Sequence, residues 1–150
     1  MGEPELARDA LRLAARVYEL SQFLVRVLGQ AQFHSTVRGR VTYHDSCHLL
    51  RGLHEAESPR EVLRHLAGVE FVELPGADEC CGFGGSFAVR LPEVSSQILE
   101  KKLRHVEATG AACLVACDAG CLMQMGGGLR RRGSRVRALH LAELLDGGRA

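Results

Sequence analysis

The spacing of hydrophobic residues separates a helical N-terminal stretch from a later alternation of short strands and helices. From residue 4 to about residue 29, apolar side chains recur at steps of three and four, which predicts one long amphipathic helix. Four apolar or alternating runs then predict strands, with a helical pattern after each. The strands are expected at residues 40–44, 69–74, 111–116 and 135–139, and the helices at residues 46–53, 58–67, 92–109, 118–132 and 140–145.

This alternation predicts an α/β fold: a four-stranded, mainly parallel sheet with flanking helices, preceded by the long N-terminal helix. The run at residues 111–116 is wholly apolar, as expected of a parallel strand that is buried on both faces. We therefore divide the 150 residues into an N-terminal helix with its connector, residues 1–38, and an α/β domain, residues 39–150.

Most of the reactive side chains come directly after the predicted strands. In open parallel sheets, ligands bind beyond the carboxyl ends of the strands. Four loops that are far apart in sequence are therefore expected to converge on one edge of the sheet. They carry His44, Asp45 and Cys47 after the first strand, Cys80 and Cys81 after the second, Cys117, Asp118 and Cys121 after the third, and His140 after the fourth.

Two adjacent cysteines, Cys80 and Cys81, lie at the centre of this arrangement and lead into a glycine-rich loop. They cannot easily form a relaxed disulfide with each other, because the peptide between them prefers to be trans and planar. Both thiolates can reach one metal group if the backbone turns tightly, and Gly82, Gly84 and Gly85 supply that freedom. Thiolates from several loops favour an iron–sulfur cluster or zinc.

Two residues compete for a further position in such a site. Asp118 and Cys121 have the spacing of a CxxC motif whose first thiol is replaced by a carboxylate, whereas Cys117 and Cys121 lie one helical turn apart. Asp118 could instead cap the helix that begins there. Cys113 lies within a predicted strand and is expected to be a buried apolar residue. The best candidate metal ligands are Cys47, Cys80, Cys81 and Cys121.

Three histidines lie near the predicted edge. His44 and His48 flank Cys47 closely enough to be ligands themselves or to donate hydrogen bonds to ligands. His140 is a weaker candidate of the same kind, since a single histidine is more often structural. We expect these three side chains to support the site from around the thiolates.

Composition and charge serve mainly to exclude classes of protein. The formal net charge is +1, and the short basic run at residues 130–132 is interpreted as a solvated helix end, so we expect no nucleic-acid binding. No apolar stretch has the length of a membrane span, and the N-terminus lacks the pattern of a signal peptide. We therefore expect a cytoplasmic protein, whose six cysteines serve as metal ligands or redox groups sooner than as disulfides.

Four segments together resemble the cysteine-rich CCG domain family. That family includes a cysteine-rich component of heterodisulfide reductase, the iron–sulfur subunit of glycolate oxidase and proteins of lactate utilization. The last type is the nearest match, and the resemblance extends from about residue 5 to the C-terminus. The segments are residues 43–48 (YHDSCH), 80–87 (CCGFGGSF), 109–111 (TGA) with 118–123 (DAGCLM), and 140–145 (HLAELL).

The resemblance implies an unusual [4Fe–4S] cluster and paired domains, of which this chain looks like the second half. It implies Cys47, Cys80, Cys81 and Cys121 as cluster ligands, with Asp118 or Cys117 at the position of a fifth thiol. Asp118 departs from the full cysteine pattern, and some relatives hold zinc in such a site. The implied partners are other subunits of a complex that oxidises 2-hydroxy acids, and a second CCG half or another copy of the chain.

On this basis we expect an iron–sulfur electron-transfer subunit or domain of a lactate- or glycolate-oxidising complex, without catalytic activity of its own. One alternative is a structural module that binds zinc or no metal and assembles such a complex. Another is a thiol–disulfide redox protein.

Overall fold

The computed structural model describes residues 3–30 and 32–147, and its centre is a sheet of four strands in which every pairing is parallel. The strand order is β2-β1-β3-β4, so β1 and β3 are central. The predicted α/β class with a parallel sheet is thereby confirmed. The strands are β1, Gly39–Tyr43; β2, Val69–Glu73; β3, Cys113–Ala116; and β4, Arg137–His140.

Helices cover the sheet on both faces. Among the described residues, no helix combines the length and the apolar character needed to cross a bilayer. Two further segments are wide single turns of π-helix, Phe23–Val27 and His48–Gly52. The α-helices are α1, Glu3–Ala14; α2, Leu20–Gln22; α3, Glu57–Arg64; α4, Ser86–Arg90; α5, Pro92–Ala108; α6, Ala119–Arg131; and α7, Leu141–Leu145.

The two faces of the sheet carry separate hydrophobic cores. Along β3, Cys113 and Val115 belong to the core that contains side chains of α3 and α7, whereas Leu114 belongs to the core formed with α5 and α6. This alternation follows from the two-residue period of a strand. It explains why β3 is apolar at every position, since all four of its residues are buried.

The N-terminal stretch, predicted as one helix over residues 4–29, is divided in the structure. Glu19 has an extended backbone and begins a new helix with a capping box. Its carboxylate accepts a hydrogen bond from Ser21 N at 2.7 Å, while its own N–H donates to Gln22 Oε1 at 3.2 Å. The apolar spacing continues across this break, so periodicity alone did not reveal it. α1, which ends at Ala14, has no buried residue.

The second part of this stretch is anchored to α3 through Glu55. The Glu55 carboxylate is 1% exposed, forms an ion pair with Arg26 and accepts a hydrogen bond from Ser58 N at 2.8 Å. Burial by itself would raise the pKa of Glu55, but hydrogen bonds from Ser58 and Gln22 and the charge of Arg26 hold that pKa below its ordinary value. The helical turn at Phe23–Val27 is thereby held against the domain.

Two local differences concern the loops at the carboxyl edge of the sheet. The helix expected over residues 46–53 is only the wide turn His48–Gly52, and the short helix α4 follows the glycine-rich loop where none was predicted. Gly85, which precedes α4, has a φ of 57°. A start of this kind lacks the side-chain cap that usually marks a helix in a sequence.

Candidate metal centre

A cavity of about 490 Å³ opens where the loops after β1, β2 and β3 meet. This is the carboxyl edge of the sheet, where the sequence predicted a site. Asp45 and Phe83 also line the cavity. The sequence-predicted site residues that line it are His44, Cys47, His48, Cys80, Cys81, Gly84, Gly85, Asp118 and Cys121.

Backbone hydrogen bonds join the loop after β1 to strand β3 and to the loop after β2. His44 N donates to Val115 O at 2.9 Å, which extends the ladder between β1 and β3 to the edge of the cavity. Asp45 N donates to Ala77 O at 3.1 Å and so joins the loop after β1 to the loop after β2. The side chains on these loops are therefore positioned by the sheet.

The double-cysteine loop turns at Gly82 and lies against α5. Gly82 has a φ of +87°, its N–H donates to Cys80 Sγ at 3.3 Å, and its carbonyl accepts from Ser95 Oγ at 2.7 Å. A Cβ atom at position 82 would come within 2.5 Å of the backbone oxygen of Ser95. Glycine is required here by both the conformation and the close approach. The turn leaves Cys80 exposed and Cys81 buried.

Cys81 and Cys121 form the buried thiol pair of the cavity, with their sulfur atoms 3.3 Å apart. The contact with Cys121 lowers the pKa of Cys81 despite burial, and the His44 side chain and the Phe83 N–H act in the same direction. The same contact raises the pKa of Cys121. The lowered pKa favours the thiolate form of Cys81, which is the form that binds metals.

His44 completes this buried group of donors. A ring nitrogen of His44 and the sulfur atoms of Cys81 and Cys121 all lie within 4.8 Å of one another. The side chain is 1% exposed, and neither ring nitrogen has a hydrogen-bond partner among the described residues. Each unpaired buried polar atom costs about 1–3 kcal/mol. A metal bound to this imidazole would satisfy one of the two nitrogens.

Cys47 and Cys80 are exposed thiols that line the same cavity. Together with the buried pair they place four cysteines, from the loops after β1, β2 and β3, around one space. Such a donor set suits soft metals, chiefly iron–sulfur clusters and zinc. The residues therefore fit a thiolate-bound metal group.

Asp118 lines the cavity, and both of its oxygens already have partners. Oδ1 accepts a hydrogen bond from Cys121 N at 2.9 Å and so caps α6, while Oδ2 lies 2.9 Å from His48 Nδ1. Burial opposes ionisation, but the Cys121 N–H and His48 together hold the pKa of Asp118 below its ordinary value. The structure thus gives Asp118 the capping role that the sequence left open.

Cys117 and His140 lie outside the lining of the cavity. Cys117 packs against the core on the α3 and α7 side of the sheet. Burial, with the nearby carboxylate of Glu19, raises its pKa to about 12. His140 caps α7 by accepting a hydrogen bond from Ala142 N at its Nδ1 atom, at 3.1 Å.

Arg60 was not among the predicted site residues, although it positions one wall of the cavity. Its guanidinium binds both oxygens of Asp45 at 2.8 and 2.6 Å and both oxygens of Glu73 at 3.0 and 2.7 Å. A further N–H donates to Ala56 O at 2.7 Å, so all five donors are used. Arg60 thereby joins the carboxyl ends of β1 and β2. No sequence signal distinguished it from a surface arginine in a first helical turn.

Lys102 is a second residue that sequence reasoning missed. Its side chain is 1% exposed, and its ammonium donates to Gly76 O and, at 3.4 Å, to Ala77 O, just before the double cysteine. Burial lowers the pKa of Lys102, which the neighbouring carboxylates and cysteines partly offset. The sequence contained a signal for the burial of Lys102, because this residue falls on the apolar stripe of α5 between Leu99 and Val106.

The amino-acid sequence is similar to a known protein family and to several curated proteins. A family model described as the CCG cysteine-rich domain matches residues 41–126, a range that includes every cysteine of the cavity. Among curated relatives, lactate utilization protein A of Halalkalibacterium halodurans is 45% identical over 144 residues, 96% of this chain and 59% of the relative. The protein of the same name from Oceanobacillus iheyensis is 46% identical over 145 residues, 97% of this chain and 59% of the relative.

A third relative, lactate utilization protein A of Bacillus subtilis, is 42% identical over 144 residues, 96% of this chain and 60% of the relative. The similarity thus runs through nearly all of the present sequence. The chain spans about three fifths of the length of these relatives.

Proposed function

Since the chain belongs to the family of CCG cysteine-rich domains, we propose that it binds an iron–sulfur cluster of the [4Fe–4S] type and relays electrons. The proposal rests on four cysteines, from the three loops after β1, β2 and β3, that line one cavity. The low pKa of Cys81 supports it further, because a ligand has to be a thiolate. The domain that does this would be residues 39–150, with residues 1–38 as its N-terminal connector.

In this proposal Cys47, Cys80, Cys81 and Cys121 hold the metal group, which when bound would accept and release electrons. The surrounding protein adjusts that property through burial and hydrogen bonding. The turn at Gly82–Gly85 brings peptide groups close to the thiolates. The buried ammonium of Lys102 places a positive charge behind the double cysteine, which favours the ionised thiols.

We further propose that this relay serves lactate or glycolate oxidation. The relatives reported above are named for lactate utilization. The partners would be other subunits of a complex that oxidises 2-hydroxy acids, together with a second CCG half or another copy of this chain. Substrate oxidation itself would occur elsewhere in the complex, and the cytoplasm would be its location because thiols remain reduced there.

Two other functions are each favoured by one observation. The close spacing of donors from His44, Cys81 and Cys121 suits a single tetrahedral ion such as zinc, and so favours a structural module. The thiolate of Cys81, 3.3 Å from the sulfur of Cys121, favours thiol–disulfide exchange. Neither alternative uses both of the exposed thiols, Cys47 and Cys80, that share the same cavity.

Reversible reduction tests the proposed relay. Protein purified without oxygen should be brown, and dithionite should bleach its visible absorption and alter its electron paramagnetic resonance spectrum. Reoxidation by a mild acceptor should restore the original spectrum. Protein stripped by a chelator is the control and should show no such cycle. A colourless wild type that contains zinc would contradict the relay and favour the structural module.

A further inference from the structure

His44 differs from His48, which also lines the cavity, in having no hydrogen-bond partner among the described residues. It is 1% exposed, and both ring nitrogens are buried without a hydrogen bond among the described residues, whereas His48 is paired with Asp118. We propose that His44 is itself a metal ligand, bound through one ring nitrogen beside Cys81 and Cys121. This inference rests on the metal site of the proposed function and deepens it by adding a nitrogen donor to the thiolates.

The distances agree with a shared metal. A ring nitrogen of His44 and the sulfur atoms of Cys81 and Cys121 lie within 4.8 Å of one another, and the two sulfurs are 3.3 Å apart. Around one tetrahedral ion, metal–sulfur bonds of about 2.3 Å and metal–nitrogen bonds of about 2.0–2.1 Å place neighbouring donors roughly 3.5–3.8 Å apart. Small side-chain adjustments are therefore enough to bring the three donor atoms from their distances in the structure to those around one tetrahedral ion.

A supporting role for His44 through a carboxylate finds no such partner among the described residues. A histidine that orients a ligand does so through a hydrogen bond, commonly with a carboxylate. The oxygens of Asp45 are bound by Arg60, and those of Asp118 by Cys121 N and His48. The carboxylates of Asp45 and Asp118 are therefore already occupied, and neither is hydrogen-bonded to His44. Coordination gives His44 a partner without displacing any of these contacts.

His44 also supplies the donor that the cysteine pattern lacks. The fifth thiol position was assigned by resemblance to Asp118 or Cys117, but Asp118 caps α6 and Cys117 packs in the core on the α3 and α7 side. A neutral imidazole in place of a thiolate makes the bound group one unit less negative. In iron–sulfur sites, histidine in place of cysteine raises the reduction potential.

Cobalt(II) titration of metal-free protein under anaerobic conditions tests this inference, because its absorption reports nitrogen and sulfur donors. Leucine at position 44 removes the nitrogen but keeps an apolar side chain in the core. We expect His44→Leu to weaken cobalt binding about 100-fold or more, beyond the roughly 10- to 100-fold typical of a lost supporting partner. The metal-free variant should unfold at a higher temperature than wild type, because a buried unpaired polar side chain is gone.

His44→Cys is the second variant, and it decides the matter if His44→Leu does not fold. A thiolate at this position should bind cobalt within about tenfold of wild type and increase the sulfur-to-cobalt charge-transfer absorption. His65→Leu is the matched control, because His65 is a half-exposed histidine at the end of α3, outside the cavity. It should bind cobalt as wild type does.

The inference is overturned if His44→Leu keeps the wild-type cobalt spectrum and an affinity within threefold. It is equally overturned if His44→Cys shows only the wild-type charge-transfer intensity, since the new thiolate would then lie outside the coordination sphere. These readouts do not depend on an iron–sulfur cluster. If the proposed electron relay is wrong, wild-type protein will contain no iron. The cobalt results for the His44 variants would be unchanged in that case.

Discussion

Gly82→Ala is expected to destabilise the metal-free protein by about 2–4 kcal/mol and to prevent metal binding. The φ of +87° is unfavourable for any residue with a Cβ atom, which accounts for about 1–3 kcal/mol. The remainder comes from the approach of the new Cβ to Ser95 O at 2.5 Å and Leu99 N at 3.3 Å. Both are backbone atoms of α5, so the loop with Cys80 and Cys81 has to move. Urea denaturation measures the loss.

Gly133→Ala is the matched control for this substitution. Gly133 follows α6 with a φ of +64°, but a Cβ atom there would have no neighbour within 4 Å. We expect it to cost only the conformational part, about 1–2 kcal/mol, and to leave metal binding intact. Equal losses in the two variants would show that the contact between the loop and α5 is unimportant.

Arg60→Leu is the second substitution with a large expected effect. It leaves the buried carboxylate of Asp45, which is 5% exposed, without its cation, and a broken buried pair of this kind costs about 3–5 kcal/mol. The variant also loses the link to Glu73 at the end of β2 and the contact with the Tyr43 ring, whose centroid lies 5.4 Å from the guanidinium carbon. Thermal and urea unfolding should both report the loss.

Arg64→Leu separates this effect from the general loss of an arginine. Arg64 lies one turn further along α3, its side chain is 46% exposed, and it pairs with Glu57 and Glu61 near the surface. Surface pairs contribute about 0–1 kcal/mol, so this variant should unfold almost as wild type does. If Arg60→Leu were equally mild, Arg60 would not be what joins β1 to β2.

The fold and the position of the site could be predicted because both depend on short-range patterns. Apolar runs located the four strands, and the topology of a parallel sheet then brought Cys47, Cys80, Cys81 and Cys121 to one edge. The placement of Cys117 was also available in principle. Side chains alternate along β3, so Cys117, two residues after Val115, falls on the same side of the sheet as Cys113 and Val115.

Other features depend on contacts between distant residues and could not be predicted from local patterns. The break before α2 arises from hydrogen bonds at Glu19, which the continuous apolar spacing conceals. Asp45 is not available as a hydrogen-bond partner for His44, because it is bound to Arg60, an arginine 15 residues further along the chain. A side chain's lack of partners is a property of the folded molecule.

The most direct test of the central claim is the amount of iron and acid-labile sulfide per chain in protein purified without oxygen, for wild type, Cys81→Ser and Cys113→Ser. Cys113 is the control, because it is buried in the core with α3 and α7 and lies outside the cavity. We expect roughly four iron and four sulfide ions per chain in wild type and in Cys113→Ser, and the loss of both in Cys81→Ser. Zinc or no metal in wild type, or iron retained in Cys81→Ser, would contradict it.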